Sequence, residues 1–108
     1  MGYRPEITDC EDSELCFYGT KLFGYFNASK LESCQYLISI GKVTDPSSWD
    51  YEHPNEMVLT AEQFKTFIEL YEKDYNRIYA PYTMSEHSDY WMIRAMLERD
   101  TCKHLEWF

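Results

Sequence analysis

Long hydrophobic runs are missing from the sequence, and we expect no membrane-spanning helix in it. No apolar run approaches the roughly 20 residues that a membrane-spanning helix needs. Residues 1–6 contain one arginine and no apolar stretch follows it, so they lack the pattern of a secretory signal. We therefore expect a cytoplasmic protein.

Basic residues are scarce. The chain has 10 lysines and arginines against 19 aspartates and glutamates, which gives a formal net charge of −9. A nucleic-acid backbone or an anionic lipid surface would repel such a protein. We expect neither direct nucleic-acid binding nor membrane docking. The charge favours a basic protein as partner. That partner could be a nucleic-acid-binding protein, which the acids would attract by imitating the charge of the nucleic acid.

Glycine and proline are also few, with four of each, and there is no repeat, low-complexity stretch or Gly/Ser linker. A chain of 108 residues fits one domain, which we place at 1–108. Hydrophobic residues make up 44% of the chain, which predicts a folded core rather than disorder.

Cysteine pairs of the Cys-x-x-Cys type are absent. Because no secretory signal is recognised, the four cysteines are interpreted as free thiols in a reducing compartment. Cys34 has apolar neighbours in a predicted helix and is expected in the core. The alternative is a zinc site that combines Cys10 and Cys16 with Cys102 and His104, but this spacing matches no common zinc pattern. We expect no metal and no cofactor.

Catalytic motifs are absent as well: there is no nucleophile elbow, phosphate-binding loop, zinc-protease helix or dinucleotide fingerprint. His87, Ser88 and Asp89 are residue types found in catalytic triads, but adjacent residues on a helix point in different directions. We interpret them as a polar helix N-terminus that Ser88 caps. The many acids leave a paired-carboxylate enzyme as an alternative, but the expectation is a protein that is not an enzyme.

The apolar spacing predicts three helices. The first covers about 30–40 and ends at Gly41, and the second follows a capping box formed by Thr60 and Gln63. The third covers about 86–99, with Ser85 or Ser88 as the residue that caps its start. Strands are expected in the N-terminal segment, in 15–26 (two short strands or one bent strand) and in 56–59. The fold class is α+β, a small antiparallel sheet packed against about three helices, with Trp107 and Phe108 docked on the body or on a partner.

Two clusters of acids without basic neighbours are the main candidate partner-binding surface. The first lies in 6–14, which has a net charge of −5, and the second in the loop 44–55 and just after it. The acids are Glu6, Asp9, Glu11, Asp12, Glu14, Asp45, Asp50, Glu52 and Glu56. The alternative interpretation is an ordinary solvated surface that keeps a small domain soluble.

The ten tyrosines give a second candidate surface, because rings supply contact area at low entropic cost. Trp49, Tyr51, Tyr79 and Tyr82 fall in or beside loops and are the predicted contacts. The alternative is that these rings cover the edge of the core. If they form contacts, they favour a structural or assembly protein.

The stretches Cys-Phe-Tyr-Gly-Thr-Lys-Leu-Phe-Gly-Tyr at 16–25 and Val-Leu-Thr-Ala-Glu-Gln-Phe at 58–64 give the chain the character of a small aromatic-rich protein. In this it resembles the small proteins of phages and prophages. The resemblance implies a non-enzymatic protein that binds and inhibits a host component, such as a defence protein or a nucleic-acid-binding protein.

Overall fold

A computed structural model describes residues 5–18, 31–43 and 56–107, and the architecture below refers to those ranges. The strands are β1 (Pro5–Asp9), β2 (Cys16–Tyr18), β3 (Met57–Leu59) and β4 (Lys103–Trp107). The helices are α1 (Glu32–Ser39), α2 (Ala61–Ile78) and α3 (Tyr90–Glu98), with one 3-10 turn (Met84–Glu86) before α3.

The four strands form one antiparallel sheet in the order β2-β1-β4-β3. Ile7 of β1 is opposite Phe17 of β2 on one side and Leu105 of β4 on the other. All three side chains are buried, because side chains alternate between the two faces of a strand and this face is covered by the helices. The predicted α+β class is confirmed.

Strand β4 is the element that the sequence analysis did not identify. It lies in the middle of the sheet, between β1 and β3, although it comes from the C-terminal tail. Trp107 is buried and its ring meets Phe67 of α2 edge to face, with the ring centroids 6.4 Å apart. Docking of Trp107 on the body is therefore confirmed, whereas Phe108 lies outside the described residues.

Helix α2 forms as predicted. The Thr60 hydroxyl accepts a hydrogen bond from the Gln63 amide, and the Gln63 side chain accepts one from the Thr60 amide. The apolar stripe of α2, which includes Phe64 and Tyr71, is buried in the core. No helix in the described ranges is long and apolar enough to span a membrane.

Helix α1 ends as predicted, and a residue distant in the sequence holds its start. Gly41 has a φ of 75°, a left-handed conformation that glycine adopts without a Cβ penalty. At the other end, the carboxylate of Asp74 from α2 accepts hydrogen bonds from the Glu32 and Ser33 amides at 3.1 and 3.0 Å and from the Ser33 hydroxyl at 2.8 Å. A buried side chain of another helix thus satisfies the amides that begin α1.

The third helix is shorter than the predicted 86–99. A 3-10 turn capped by Thr83 and Glu86 comes first, and His87 has an extended backbone that ends it. Helix α3 then begins after Asp89, which is its N-cap residue. The prediction that Ser85 or Ser88 caps this helix was wrong: Ser85 lies inside the 3-10 turn, and the chain leaves the helical conformation between the two segments.

Candidate binding site at the acidic turn

The turn between β1 and β2 begins at a buried carboxylate. Asp9 lies opposite Lys103 in the sheet register, and both side chains are fully buried. Its Oδ2 atom accepts hydrogen bonds from Arg99 Nε at 3.0 Å and from the Thr101 hydroxyl at 2.6 Å, and it lies 3.4 Å from Lys103 Nζ. Lys103 Nζ donates in turn to the Thr101 carbonyl at 2.6 Å. Two cations therefore offset the negative charge of this carboxylate, and one hydroxyl donates a hydrogen bond to it.

These partners determine the protonation state of Asp9. Burial by itself would raise the pKa of this carboxyl group. The hydrogen bonds from the Thr101 hydroxyl and the Glu11 amide, with the charges of Lys103 and Arg99, outweigh burial and hold the pKa of Asp9 well below its ordinary value. Asp9 is therefore a structural anion at neutral pH.

The second oxygen of Asp9 organises the turn itself. Its Oδ1 atom accepts hydrogen bonds from the Glu11 amide at 2.8 Å and from the Asp12 amide at 3.1 Å. The Asp12 carboxylate accepts one from the Glu14 amide at 3.1 Å, and the Leu15 amide donates to the Asp12 carbonyl at 3.1 Å. Local side-chain acceptors thus replace the strand hydrogen bonds that the backbone gives up in a turn.

A disulfide joins Cys10 of this turn to Cys102, which directly precedes β4. The Cys10 amide also donates to the Cys102 carbonyl at 3.0 Å. The prediction that these two cysteines are free thiols was therefore wrong, and they cannot serve in the zinc site considered from the sequence. Cys16 and Cys34 are free, and Cys34 is buried as expected. Sequence cannot show that β1 and β4 are neighbours, and this adjacency brings the two cysteines together.

The acids of the turn differ in accessibility. Glu11 and Glu14 are exposed and Asp12 is half-buried, whereas Asp9 is buried and fully engaged inside the protein. The assignment of Asp9 to a partner-binding surface is therefore corrected: it holds the surface in place. We call the segment 10–15 the acidic turn.

Residues that are distant in the sequence also contribute to the charge of this region. The segment 99–103 packs against the acidic turn through the disulfide and the Asp9 contacts, and it brings Arg99, Lys103 and the exposed Asp100. Together, 9–14 and 99–103 hold five carboxylates and two basic side chains, a formal charge of −3. The region is acidic, but it is not free of bases as the linear sequence predicted. Asp100 is an acid of this surface that sequence reasoning missed.

The other predicted acids lie apart from the acidic turn or outside the described ranges. Glu6 is half-buried on the outer face of the sheet, opposite Glu106. Glu56 is exposed, and its carboxylate lies 3.1 Å from His104 Nε2. The remaining predicted contacts of the long loop lie outside the described residues: Asp45, Trp49, Asp50, Tyr51 and Glu52.

The two remaining predicted aromatic contacts behave differently. Tyr79 is half-buried and stacks on Tyr75, with the ring centroids 4.7 Å apart, as the core-edge alternative expects. Tyr82 is 69% exposed. Trp91, on α3, is 63% exposed and was not predicted, because it falls inside a helix rather than in a loop.

A cleft between α2 and α3 has a volume of about 210 Å³ and is lined by apolar and charged side chains. The Tyr90 hydroxyl donates to the Glu72 carboxylate there at 3.0 Å. Burial raises the pKa of Tyr90, and the hydrogen bond to Glu72 and its negative charge raise it further. Tyr90 is therefore held as a neutral donor across the cleft.

His87, Ser88 and Asp89 do not form a catalytic arrangement. His87 Nδ1 accepts a hydrogen bond from the Asp89 amide at 3.2 Å and lies 3.8 Å from an oxygen of the Asp89 carboxylate. Both contacts are local to the break before α3 and connect the imidazole to its own segment. Comparison with protein-family models, with curated proteins and with solved structures found no match.

Proposed function

We propose that this protein is a non-enzymatic binding protein that recognises a basic protein partner through the acidic turn. The observation that carries the proposal is the way the turn is held. Glu11 and Glu14 are exposed and Asp12 is half-buried on a backbone that a disulfide, the buried carboxylate of Asp9 and several hydrogen bonds hold in place.

Preorganisation matters because ordering a loop on binding reduces affinity. A turn that is already fixed in the free protein avoids most of that loss. The net negative charge of the region also speeds encounter with a basic surface and repels acidic competitors. These two properties support selective binding without catalysis.

The resemblance to small phage and prophage proteins extends the proposal to a partner class. In that form, the protein is a phage-encoded inhibitor of a host defence protein or of a nucleic-acid-binding protein, and its carboxylates occupy a surface that normally meets phosphates.

A cytoplasmic location belongs to this extended proposal, and the Cys10–Cys102 disulfide weighs against it. Disulfides are rare in reducing compartments. Rapid alkylation of the thiols in intact cells measures the oxidised fraction. A largely reduced pair would support the cytoplasm, and a fully oxidised pair would exclude it as the usual compartment.

The experiment is a tagged pull-down from host lysate, followed by affinity measurement with the recovered partner at low and high salt. Glu11→Gln with Glu14→Gln removes two charges from the turn and leaves Asp9 and Asp12 in place. The matched control is Glu62→Gln with Glu69→Gln, two exposed acids of α2. A basic partner that is lost at high salt and weakened only by the first pair supports the proposal. An acidic partner, or equal effects of both pairs, would refute it.

Exposed rings favour a second candidate, an assembly protein. Tyr82 and Trp91 together present two large apolar side chains to solvent. Aromatic packing is insensitive to salt, whereas charge-driven association is screened. Sedimentation velocity at two ionic strengths separates the two: salt-independent self-association that Trp91→Ala abolishes would favour assembly, and a monomer under all conditions would exclude self-assembly.

A further inference from the structure

Three potential metal ligands converge on the outer face of the sheet. One ligand atom each from Glu56, His104 and Glu106 lies within 4.8 Å of the others. His104 and Glu106 are two residues apart on β4, so the alternation of a strand places both on the face that the helices do not cover. Glu56 directly precedes β3, the strand beside β4.

The sheet register explains why these groups meet. Val58 lies opposite His104 and Met57 opposite Leu105, so one further step along the same register places Glu56 opposite Glu106. On the other side of β4, Glu6 lies opposite Glu106. Three carboxylates therefore form a row across β1, β4 and β3, with neighbouring strands about 4.8 Å apart.

Such a row is unfavourable unless a cation neutralises it. Like charges directly opposite each other destabilise a sheet. Within the described part of the chain, neither Glu6 nor Glu106 forms an ion pair with a lysine or arginine. His104 is the adjacent group that can bear a proton or bind a metal, and its Nε2 lies 3.1 Å from Glu56 Oε2. Two ligands on a tetrahedral zinc ion lie about 3.3 Å apart, given bonds of about 2.0–2.1 Å.

The donor set indicates which cation fits. Calcium and magnesium prefer oxygen ligands alone, whereas one imidazole and two carboxylates suit zinc and its first-row neighbours. Three protein ligands on an accessible face also leave a coordination position open to water.

We propose that Glu56, His104 and Glu106 form a binding site for a divalent first-row transition-metal ion, with Zn²⁺ as the probe. The site lies on the outer face of the sheet, contains none of the exposed acids of the acidic turn, and does not depend on the proposed recognition of a basic partner. The metal binds the carboxylates of Glu56, just before β3, and of Glu106 on β4, and its charge offsets two of the three negative charges of the row.

The test is a zinc titration of the full chain against a chromogenic chelator of known affinity. The wild type binds one equivalent of zinc, and His104→Gln and Glu106→Gln each weaken binding at least about tenfold. At metal sites, removal of a residue that only supports a ligand already costs about that much, and these two residues are ligands themselves. His87→Gln is the matched control, because His87 also lies near a carboxylate but belongs to no group of three potential ligands within residues 5–18, 31–43 and 56–107. Cys16→Ser tests for binding at the half-buried free thiol. Neither control variant changes the affinity.

A second readout is thermal stability. Zinc raises the melting temperature of the wild type and of His87→Gln, but not of His104→Gln, because a ligand stabilises only the fold that binds it. Circular dichroism of the metal-free variants checks that each is folded. Absence of saturable zinc binding below millimolar concentration would overturn the proposal. Binding that survives both His104→Gln and Glu106→Gln would overturn it as well.

Discussion

Replacement of Asp9 by Asn removes the negative charge on which two cations converge and leaves the size of the side chain almost unchanged. Lys103 is fully buried, and its ammonium group would then keep the Thr101 and Arg99 oxygens and the face of the Phe64 ring as partners, but no anion among the described residues. Arg99 is 38% exposed and can regain water. The perturbation therefore leaves one buried cation without a counter-charge.

The expected loss follows from that single cation. Removal of one partner of a buried ion pair destabilises a protein by about 3–5 kcal/mol. Arg99 recovers solvation, so we expect the lower end, about 3 kcal/mol. A domain of this size has a free energy of unfolding of about 5–15 kcal/mol, so Asp9→Asn should still fold but with a much lower denaturation midpoint.

Urea unfolding followed by circular dichroism measures this loss. Glu11→Gln is the control, since an exposed carboxylate of the same turn should change stability by less than about 0.5 kcal/mol. Adding Lys103→Met removes the stranded cation, so the double variant Asp9→Asn/Lys103→Met should be more stable than the sum of the single losses predicts. Equal stability of Asp9→Asn and Glu11→Gln would refute the reasoning.

The same centre predicts a pH dependence. The folded-state pKa of Asp9 lies below its unfolded value, which is about 3.9. Its contribution is therefore complete above about pH 5 and is lost as the pH falls through the unfolded pKa toward the folded pKa. The stability difference between wild type and Asp9→Asn should shrink between pH 5 and pH 2. A difference that stays constant over this range would show that the charge is not its cause.

Three further predictions concern the cysteines and Asp74. Burial raises the pKa of the Cys34 thiol, so a thiol reagent should modify the half-buried Cys16 in the folded protein and reach Cys34 only on unfolding; equal rates would contradict this. Replacement of Cys10 and Cys102 by Ser removes a disulfide between residues 92 positions apart and should lower the free energy of unfolding by about 2–4 kcal/mol. A reductant should cause the same loss in the wild type and no further loss in the variant. Asp74→Asn weakens three hydrogen bonds at the start of α1 and should cost about 2 kcal/mol in urea unfolding; no loss would mean that the cap is dispensable.

Local chemistry made some elements predictable. The capping box of Thr60 and Gln63 depends on residues three positions apart, and the apolar stripe of α2 depends on the period of a helix. The end of α1 was predictable because glycine, which has no Cβ, adopts the left-handed conformation that Gly41 has just after the helix. The exposed acids of the turn were likewise found from local composition, since Glu11 and Glu14 lie in a stretch that is dense in acids and has no basic residue.

Long-range pairing decided the rest. The pairing of β4 with β1 brings together residues more than 90 positions apart, and no local pattern encodes that choice. Because of this pairing, Asp9 is a buried ion-pair partner and not the surface acid that was predicted, and Cys10 and Cys102 form a disulfide and are not free thiols. It also placed Glu6 beside Glu106. The sequence by itself determined where α2 begins, where α1 ends and which segments are acidic, because those properties depend on near neighbours. Only the tertiary structure decided which charges are neutralised and which remain available, because that depends on what the fold brings within a few ångströms.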